Sequence, residues 1–284
     1  MPCGVRAGVE RQGRGAPPQG ACQMILTITA HLDYALAAPA DMLLQIEAAP
    51  MPGQTLLEAG IGLSPVDHFA RVRGEDGIGD RIWLAVADRL TCDYRSVVRI
   101  DRATPPLASL AAVPLHRLPG EAVGYLMASR YCPADEFQSF VAAEFGTYDG
   151  GAKVAAMRDW IERAFTYVPG ASTAQTTALD TFVQRQGICR DYAHVLITLA
   201  RAAAIPARIA SVYAPGVTPM DFHAVAEVYL DGGWHLADAT GMASAEAMAI
   251  IGVGRDAADV SLLTSYGPAE MLVQKVTVAI LVSG

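Results

Sequence analysis

The chain is short of the signatures that announce a cofactor, a metal or a nucleic acid. Its five cysteines, Cys3, Cys22, Cys92, Cys132 and Cys189, stand far apart with no C-x-x-C pair. That pattern indicates neither a disulfide framework nor a zinc knuckle, and a reducing, cytoplasmic compartment is expected. The six histidines are scattered, with no H-E-x-x-H and no paired spacing, so no metal is expected. The glycine-rich run 74–79 lacks the lysine and the following helix of a phosphate loop, and no cofactor is expected. No uncharged apolar run reaches about 18 residues, the length that spans a bilayer; even the most apolar region is cut by Arg201 and Arg208, so no membrane span is expected. Basic residues are in deficit, with a formal charge of −8 and a pI near 5.2. Nucleic acid and anionic membrane both need a clustered basic surface, so neither is expected as a partner.

What the chain has is apolar bulk. With 52% hydrophobic and 18% charged residues over 284 positions it reads as globular, and the length favours two domains over one. Residues 1–23 hold three arginines among glycine, proline and glutamine, without the apolar centre of a signal peptide. They read as a flexible tail, or as the product of an upstream start with Met24 the natural first residue. From 24 to 104 apolar residues alternate or come in short runs, as in Arg81-Ile82-Trp83-Leu84-Ala85-Val86, with turns at 50–53, 60–65 and 74–79 between them. Short strands at that spacing predict a small antiparallel β-sandwich as the first domain. Residues 105–120 carry Pro105, Pro106, Pro114 and Pro119 with few charges, the composition of an extended linker.

From 121 to 284 the period changes. Phe137, Phe140, Val141 and Phe145 share one helical face, as do Val154, Met157, Ile161 and Phe165, and Ala178, Leu179, Phe182 and Val183 mark a shorter helix. A further helix starts around Cys189, carries Tyr192, Val195, Leu196, Leu199, Ala200 and Ala203 on its apolar face, and stops before Pro206. Strands are predicted over 208–213, 222–230 and 234–238, the last two joined through Asp231-Gly232-Gly233. Residues 242–250 read as weakly helical and 273–282 as a closing strand of this domain. Helices followed by antiparallel strands give an α+β fold for the second domain.

One stretch of that domain carries chemistry. Cys189 falls at a helix start, where unpaired N–H groups and the positive end of the macrodipole favour thiolate over thiol. The same N–H groups can hold the oxyanion formed when a thiolate attacks an acyl carbon, and Gly187 lets the chain approach closely just before it. His223 opens a strand and shares one face with Val225 and Glu227. If that face meets the helix start, His223 can take the thiol proton as general base. Asp238, on the neighbouring strand, can accept the other imidazole N–H and fix the tautomer. Alone, each has an ordinary structural reading: an inert buried thiol, a strand histidine, a turn-capping acid. Order and spacing bring them to adjoining elements. Asp191 reads as a first-turn acid, His194 and His235 as structural, and Glu227 as either an acid behind His223 or a solvated strand end. No second oxyanion donor is identifiable, since Gln186 stands too close to Cys189.

Gly187-x-Cys189-x-Asp191-x-Ala193, then His223-Ala224 at a strand start, then Trp234 with Asp238-Ala239-Thr240, together resemble the bacterial transglutaminase-like superfamily. The resemblance implies a papain-like core of helices packed on an antiparallel sheet, preceded by a small all-β sandwich. It implies Cys189 as nucleophile, His223 as base and Asp238 as the orienting acid. Residues 125–132 and 254–260 are similar to segments of members that carry an N-terminal β-domain, so the likeness extends over nearly everything from Met24 onward. Two positions depart from it: Val225 stands where members commonly have Trp, and Ala239 where they commonly have Pro. Both bear on the acyl-binding groove. Val225 and Trp234 are accordingly the candidate substrate-binding residues, and the departures imply a substrate unlike that of better-known relatives.

The expected activity is acyl transfer or amide hydrolysis through a Cys189 thioester, with a protein or peptide as substrate and water or an amine as acceptor. Cysteine peptidase or amidase and protein-glutamine transferase stand level, because the same triad forms the acyl-enzyme in each. The alternative is a catalytically silent binding or assembly module on the same fold, with the β-domain as its contact surface.

Overall fold

The computed structural model describes residues 23–281, so the N-terminal segment 1–22 lies outside it. The first unit is built from β1 (Met24–Leu36), β2 (Ala40–Leu44), β3 (Gln54–Leu63), β4 (His68–Arg73), β5 (Asp80–Val86) and β6 (Arg89–Ile100). Along β6 the buried residues are Leu90, Cys92, Tyr94, Ser96, Val98 and Ile100, every second position, as a strand with one covered face requires. Leu26, Ile28 and Leu32 of β1 meet Met42, Leu44, Ile82 and Leu84 across the gap between two sheets. The β-sandwich thus has its own core.

Residues 105–120 follow, with short 3-10 turns at Leu107–Ser109 and Leu115–Arg117. The Leu110 carbonyl accepts the Gly151 N–H at 2.8 Å and fastens this connection to the helical unit. Only glycine permits that approach, since a Cβ on Gly151 would lie 1.9 Å from the Leu107 carbonyl oxygen.

The second unit contains α1 (Gly120–Val123), α2 (Gln138–Phe145), α3 (Gly150–Ala164), β7 (Thr166–Tyr167), α4 (Ala178–Gln184), β8 (Gln186–Gly187) and α5 (Cys189–Ala202). Its sheet comprises β9 (Ala207–Tyr213), β10 (His223–Leu230), β11 (Gly233–Ala237) and β12 (Ala249–Gly254), in the spatial order β11-β10-β9-β12 and antiparallel throughout. Helix α5 lies against this sheet. Tyr192, Val195, Leu196 and Leu199 pack with Ile209 of β9 and with Ala226 and Val228 of β10. The other face carries Ala210, Val212, Val225 and Ile250. Tyr213 and Ile251 extend into the sandwich core, and the Tyr213 hydroxyl donates to the Ile46 carbonyl at 2.7 Å. The sheet is therefore anchored to the β-sandwich as well as to the helices.

Two sequence expectations are corrected here. Residues 242–250 are not helical: a 3-10 turn at Ala245–Ala247 leads into β12, buried at every position. A strand covered on both faces reads as a continuous apolar run, which periodicity alone does not separate from a helix. The closing strand is also assigned to the wrong unit. Strand β14 (Ala269–Ile280) pairs with β1 from Leu26↔Ile280 to Leu36↔Ala269, and β13 (Leu263–Ser265) pairs with β2. The chain returns to the sandwich to flank β1, so 121–284 is not one continuous catalytic domain. Strand character is local, whereas the partner of a strand is a long-range choice.

Candidate active site

Cys189 is the first residue of α5. Ile188 precedes it in extended conformation and offers no side-chain cap, so Asp191 takes over part of the capping. Its Oδ2 accepts the Ile188 N–H at 2.9 Å, and Oδ1 receives the Arg190 guanidinium at 2.8 Å. Asp191 is completely buried. Space for it exists because residue 187 is glycine: a Cβ there would lie 2.8 Å from the Asp191 Cβ. Gly187 and Asp191 are thus one device, which places a negative charge in the first turn of a helix whose N–H groups surround the cysteine. Cys189 itself is half-buried.

His223 and Asp238, the other two candidate residues, are paired with each other. His223 Nε2 lies 3.0 Å from Asp238 Oδ2, with the two side chains 0% and 3% exposed. Asp238 follows the end of β11, and its remaining capacity is filled. Oδ1 accepts the Thr240 N–H (2.8 Å) and hydroxyl (2.7 Å), and Oδ2 accepts the Ala243 N–H (3.0 Å). Burial opposes the charge on this carboxylate, but His223 and the Thr240 donors outweigh it and hold the acid below its usual range. An ionised Asp238 is acceptor-only, so Nε2 carries the proton that it receives. Nδ1 is buried and takes no hydrogen bond of ordinary geometry, which leaves it for the sulfur. Burial disfavours the charged ring as well, yet Asp238 and the neighbouring Cys189 lift its pKa to about 9.

The face predicted to meet the helix is not the one that does. Ala226 and Val228 form the row on α5, with Ala224 packed beside them, while Val225 points the other way. His223 reaches Cys189 because it is the first residue of β10, at the end of the sheet.

Neither candidate substrate-binding residue lines the pocket that borders His223. Val225 is 0% exposed and packs with Ala210, Val212 and Ile250. The substitution of Val for the family's Trp therefore changes the core and not an open wall. Trp234 pairs with Tyr229 in the β10–β11 ladder, near the hairpin turn, about 13 Å of strand from Asp238. It covers Arg208, whose guanidinium lies 4.0 Å from the indole centroid. Arg208 binds Glu227 and Asp76, each at 2.7 Å. Glu227 is consequently neither an acid behind His223 nor solvated; it forms a buried ion pair with Arg208 between β10 and β9, and Arg208 reaches on to Asp76 of the first unit.

His194 is buried and neutral. Burial pushes its pKa down to about 4, its ring stacks on Tyr131 at 5.1 Å, and Nε2 accepts the Ala257 N–H at 3.1 Å. His235 Nε2 donates to the Leu230 carbonyl at 3.1 Å. Asp256 accepts the N–H groups of Tyr131 (2.8 Å) and Ala258 (2.9 Å), while Arg255 pairs with Asp259 at 2.8 Å. These bonds fix the segment 255–262 beside the triad.

Sequence reasoning missed Tyr167. Parallel pairing of β7 with β8 sets Tyr167 against Gly187, and the Val168 N–H donates to the Gly187 carbonyl at 2.9 Å. Its ring lies 6.0 Å from that of Tyr192, one turn beyond Cys189 on α5. Its hydroxyl lies close to the backbone and side chain of Cys189. Burial first, and the charge of Cys189 second, push its pKa up to about 12, so it stays a donor. The one signal in the sequence was an aromatic residue just before the Pro169-Gly170 turn. Gln186 is exposed and plays no part.

A helix-initial cysteine facing a buried His–Asp pair, on helices packed against an antiparallel sheet, is the arrangement of papain-like cysteine enzymes. Residues 139–239 match the model of the transglutaminase-like superfamily. A crystal structure of a protein from Cytophaga hutchinsonii, provisionally named a cysteine protease, is 30% identical and superposes with a TM-score of 0.87 over 93% of this chain and 92% of that one. The chain belongs to the transglutaminase-like superfamily. An uncharacterized protein of Mycobacterium leprae, ML0607, is 32% identical over 120 residues, 39% of this chain and 43% of that protein; less than half of the relative is spanned. The periplasmic domain of TgpA from Pseudomonas aeruginosa is a looser match, 20% identical with a TM-score of 0.39 over 76% of this chain and 77% of that one.

Proposed function

We propose that the chain is a cysteine hydrolase that cleaves amide bonds in a peptide or protein through a Cys189 thioester. The observation that carries the reading is the orientation of His223. Nε2 is committed to a buried, fully hydrogen-bonded Asp238, and Nδ1 is left for the cysteine at the head of α5. The similarity to a protein provisionally named a cysteine protease supports the hydrolytic version.

The steps follow from the geometry. The Cys189 sulfur, its proton held on Nδ1, attacks the amide carbon, and the carbonyl becomes an oxyanion. The Cys189 N–H and the Tyr167 hydroxyl are the donors placed to receive that charge. Collapse breaks the C–N bond as His223 passes its proton to the leaving amine, giving the thioester. Water then gives its proton to Nδ1 and attacks the thioester; the acid leaves and the sulfur is restored. An amine in place of water would give transamidation by the same route.

Incubating the protein with a glutamine-containing peptide library and a labelled primary amine decides the outcome. Release of free peptide ends or ammonia without incorporated label supports hydrolysis, and incorporation of label replaces it with transfer. For a catalytically silent module, Cys189 would react with iodoacetamide only above about pH 8, like an ordinary thiol; rapid labelling near pH 6 that disappears in His223→Ala supports the enzyme.

A further inference from the structure

A pocket of about 320 Å³ opens beside the triad, and none of the proposed catalytic steps uses it. That volume is at the low end for small-molecule sites and suits one large side chain better than a whole ligand. His223 lines it, so it borders the proposed base, while Cys189 and Asp238 stand outside its wall. Ile209 and Ala224 contribute wall from the sheet, and Val260 and Leu262 from the segment 255–262. The bonds of Asp256, Arg255 and His194 fix that segment, so the pocket exists before any substrate enters.

Its wall is more apolar than polar, with Tyr131, Arg190 and the Ser211 and Ser261 side chains as polar members beside His223. Among the described residues no carboxylate lines it, so a cationic side chain finds no counter-charge. The cation in its wall, Arg190, is already engaged with Asp191, the Ser172 hydroxyl and the Thr173 carbonyl. An anionic side chain would meet a guanidinium whose charge Asp191 already balances. The opening itself depends on a small residue: Ala224 sits on the pocket side of β10, where a larger side chain would fill the space.

We propose that this pocket selects the acyl donor by an apolar side chain, so that the substrate class is a peptide or peptide-like amide bearing a bulky aliphatic or aromatic residue within one position of the reacting carbonyl. The proposal rests on the thioester chemistry of Cys189.

The test uses the full chain and two kinds of reagent. Iodoacetamide reports the Cys189–His223 pair without needing the pocket. Peptidyl chloromethyl ketones carrying Leu, Phe, Gly, Asp or Lys at each of the two positions nearest the electrophile report the pocket. At one position, Leu or Phe is expected to inactivate about 10- to 100-fold faster than Gly, with Asp and Lys no faster than Gly. Ala224→Phe and Ser261→Trp, which fill the pocket from opposite walls, should bring the Leu rate to within about threefold of the Gly rate while iodoacetamide labelling stays unchanged. Equal rates for Leu, Phe and Gly in a protein that still reacts rapidly with iodoacetamide overturn the pocket and leave the triad standing. Fastest reaction of the Asp reagent overturns it in favour of anion recognition at Arg190, and Leu selectivity that survives both variants places selection elsewhere. Iodoacetamide labelling that is slow and indifferent to His223→Ala overturns the underlying chemistry and this proposal together.

Discussion

Replacing Asp238 by asparagine removes a charge and keeps a shape, and the surroundings of the carboxylate dictate the consequences. In the native site all four acceptor positions are used: two by Thr240, one by the Ala243 N–H and one by His223. An asparagine that keeps its oxygen on Thr240 turns its amide NH2 to the Ala243 N–H, donor against donor. It also donates to Nε2 and moves the ring proton to Nδ1, the nitrogen needed by the sulfur. The opposite flip restores the His223 bond but sets the NH2 against the Thr240 N–H, and the ring still loses the carboxylate's charge. Acylation is expected to fall about 10²- to 10⁴-fold in either case. Stability is also affected. An unpaired buried donor costs about 1–3 kcal/mol. His223 adds a pH-dependent part: its pKa is about 9 in the folded protein against 6.5 for the free side chain, and 2.5 units correspond to about 3 kcal/mol. Because the folded pKa is the higher one, this stabilisation is complete below about pH 6.5 and is lost as pH rises through 9. Asp238→Asn should therefore cost up to about 4–6 kcal/mol at pH 6, the upper end if all of the His223 shift is due to Asp238, and close to the donor clash alone above pH 9. Urea unfolding at the two pH values, with Cys189 acylation measured in parallel, tests both halves. A variant that acylates within about threefold of the native rate and keeps the native pH dependence of stability would refute the assignment of Asp238 to His223.

Tyr167→Phe keeps the ring against Tyr192 and removes only the hydroxyl; kcat/KM for amide cleavage should fall about 10- to 1000-fold while iodoacetamide labelling of Cys189 changes little, as measured by steady-state and inactivation kinetics. Gly187→Ala drives a methyl into the Asp191 side chain, and calorimetry should show a loss of about 1–3 kcal/mol with slower Cys189 labelling in the molecules that remain folded. Trp234→Ala uncovers the Arg208–Glu227 pair and should lower stability by about 1–3 kcal/mol, yet leave kcat per folded molecule unchanged because the tryptophan lies far from Cys189 and His223; a fall in kcat would restore it to the substrate site.

The parts of the site that could be read directly from the chain are those made by short-range geometry. Gly187, Cys189 and Asp191 lie within one helical turn, and capping rules place a cysteine followed two residues later by an acid at a helix start. His223 and Asp238 are joined through one hairpin, so their proximity follows from strand pairing around Asp231-Gly232-Gly233. The helical face of α5 is likewise legible, because its apolar spacing repeats over the whole element.

What the sequence left open was settled by contacts between distant segments. Alternation on β10 is fixed by period, but which row meets α5 depends on how the sheet is covered, and that sent Val225 into the core and gave the pocket to Ala224. Tyr167 reaches Cys189 only because two-residue strands pair in parallel across residues 168 to 185. Strand β14 has an ordinary strand pattern that says nothing of β1 as its partner, more than 230 residues earlier. The order Cys, His, Asp and the pattern of local elements were thus determined by the sequence itself, through backbone rules that act over a few residues. The direction in which each side chain looks, and hence the tyrosine beside Cys189 and the pocket beside His223, was decided by packing among remote elements, which no local period encodes.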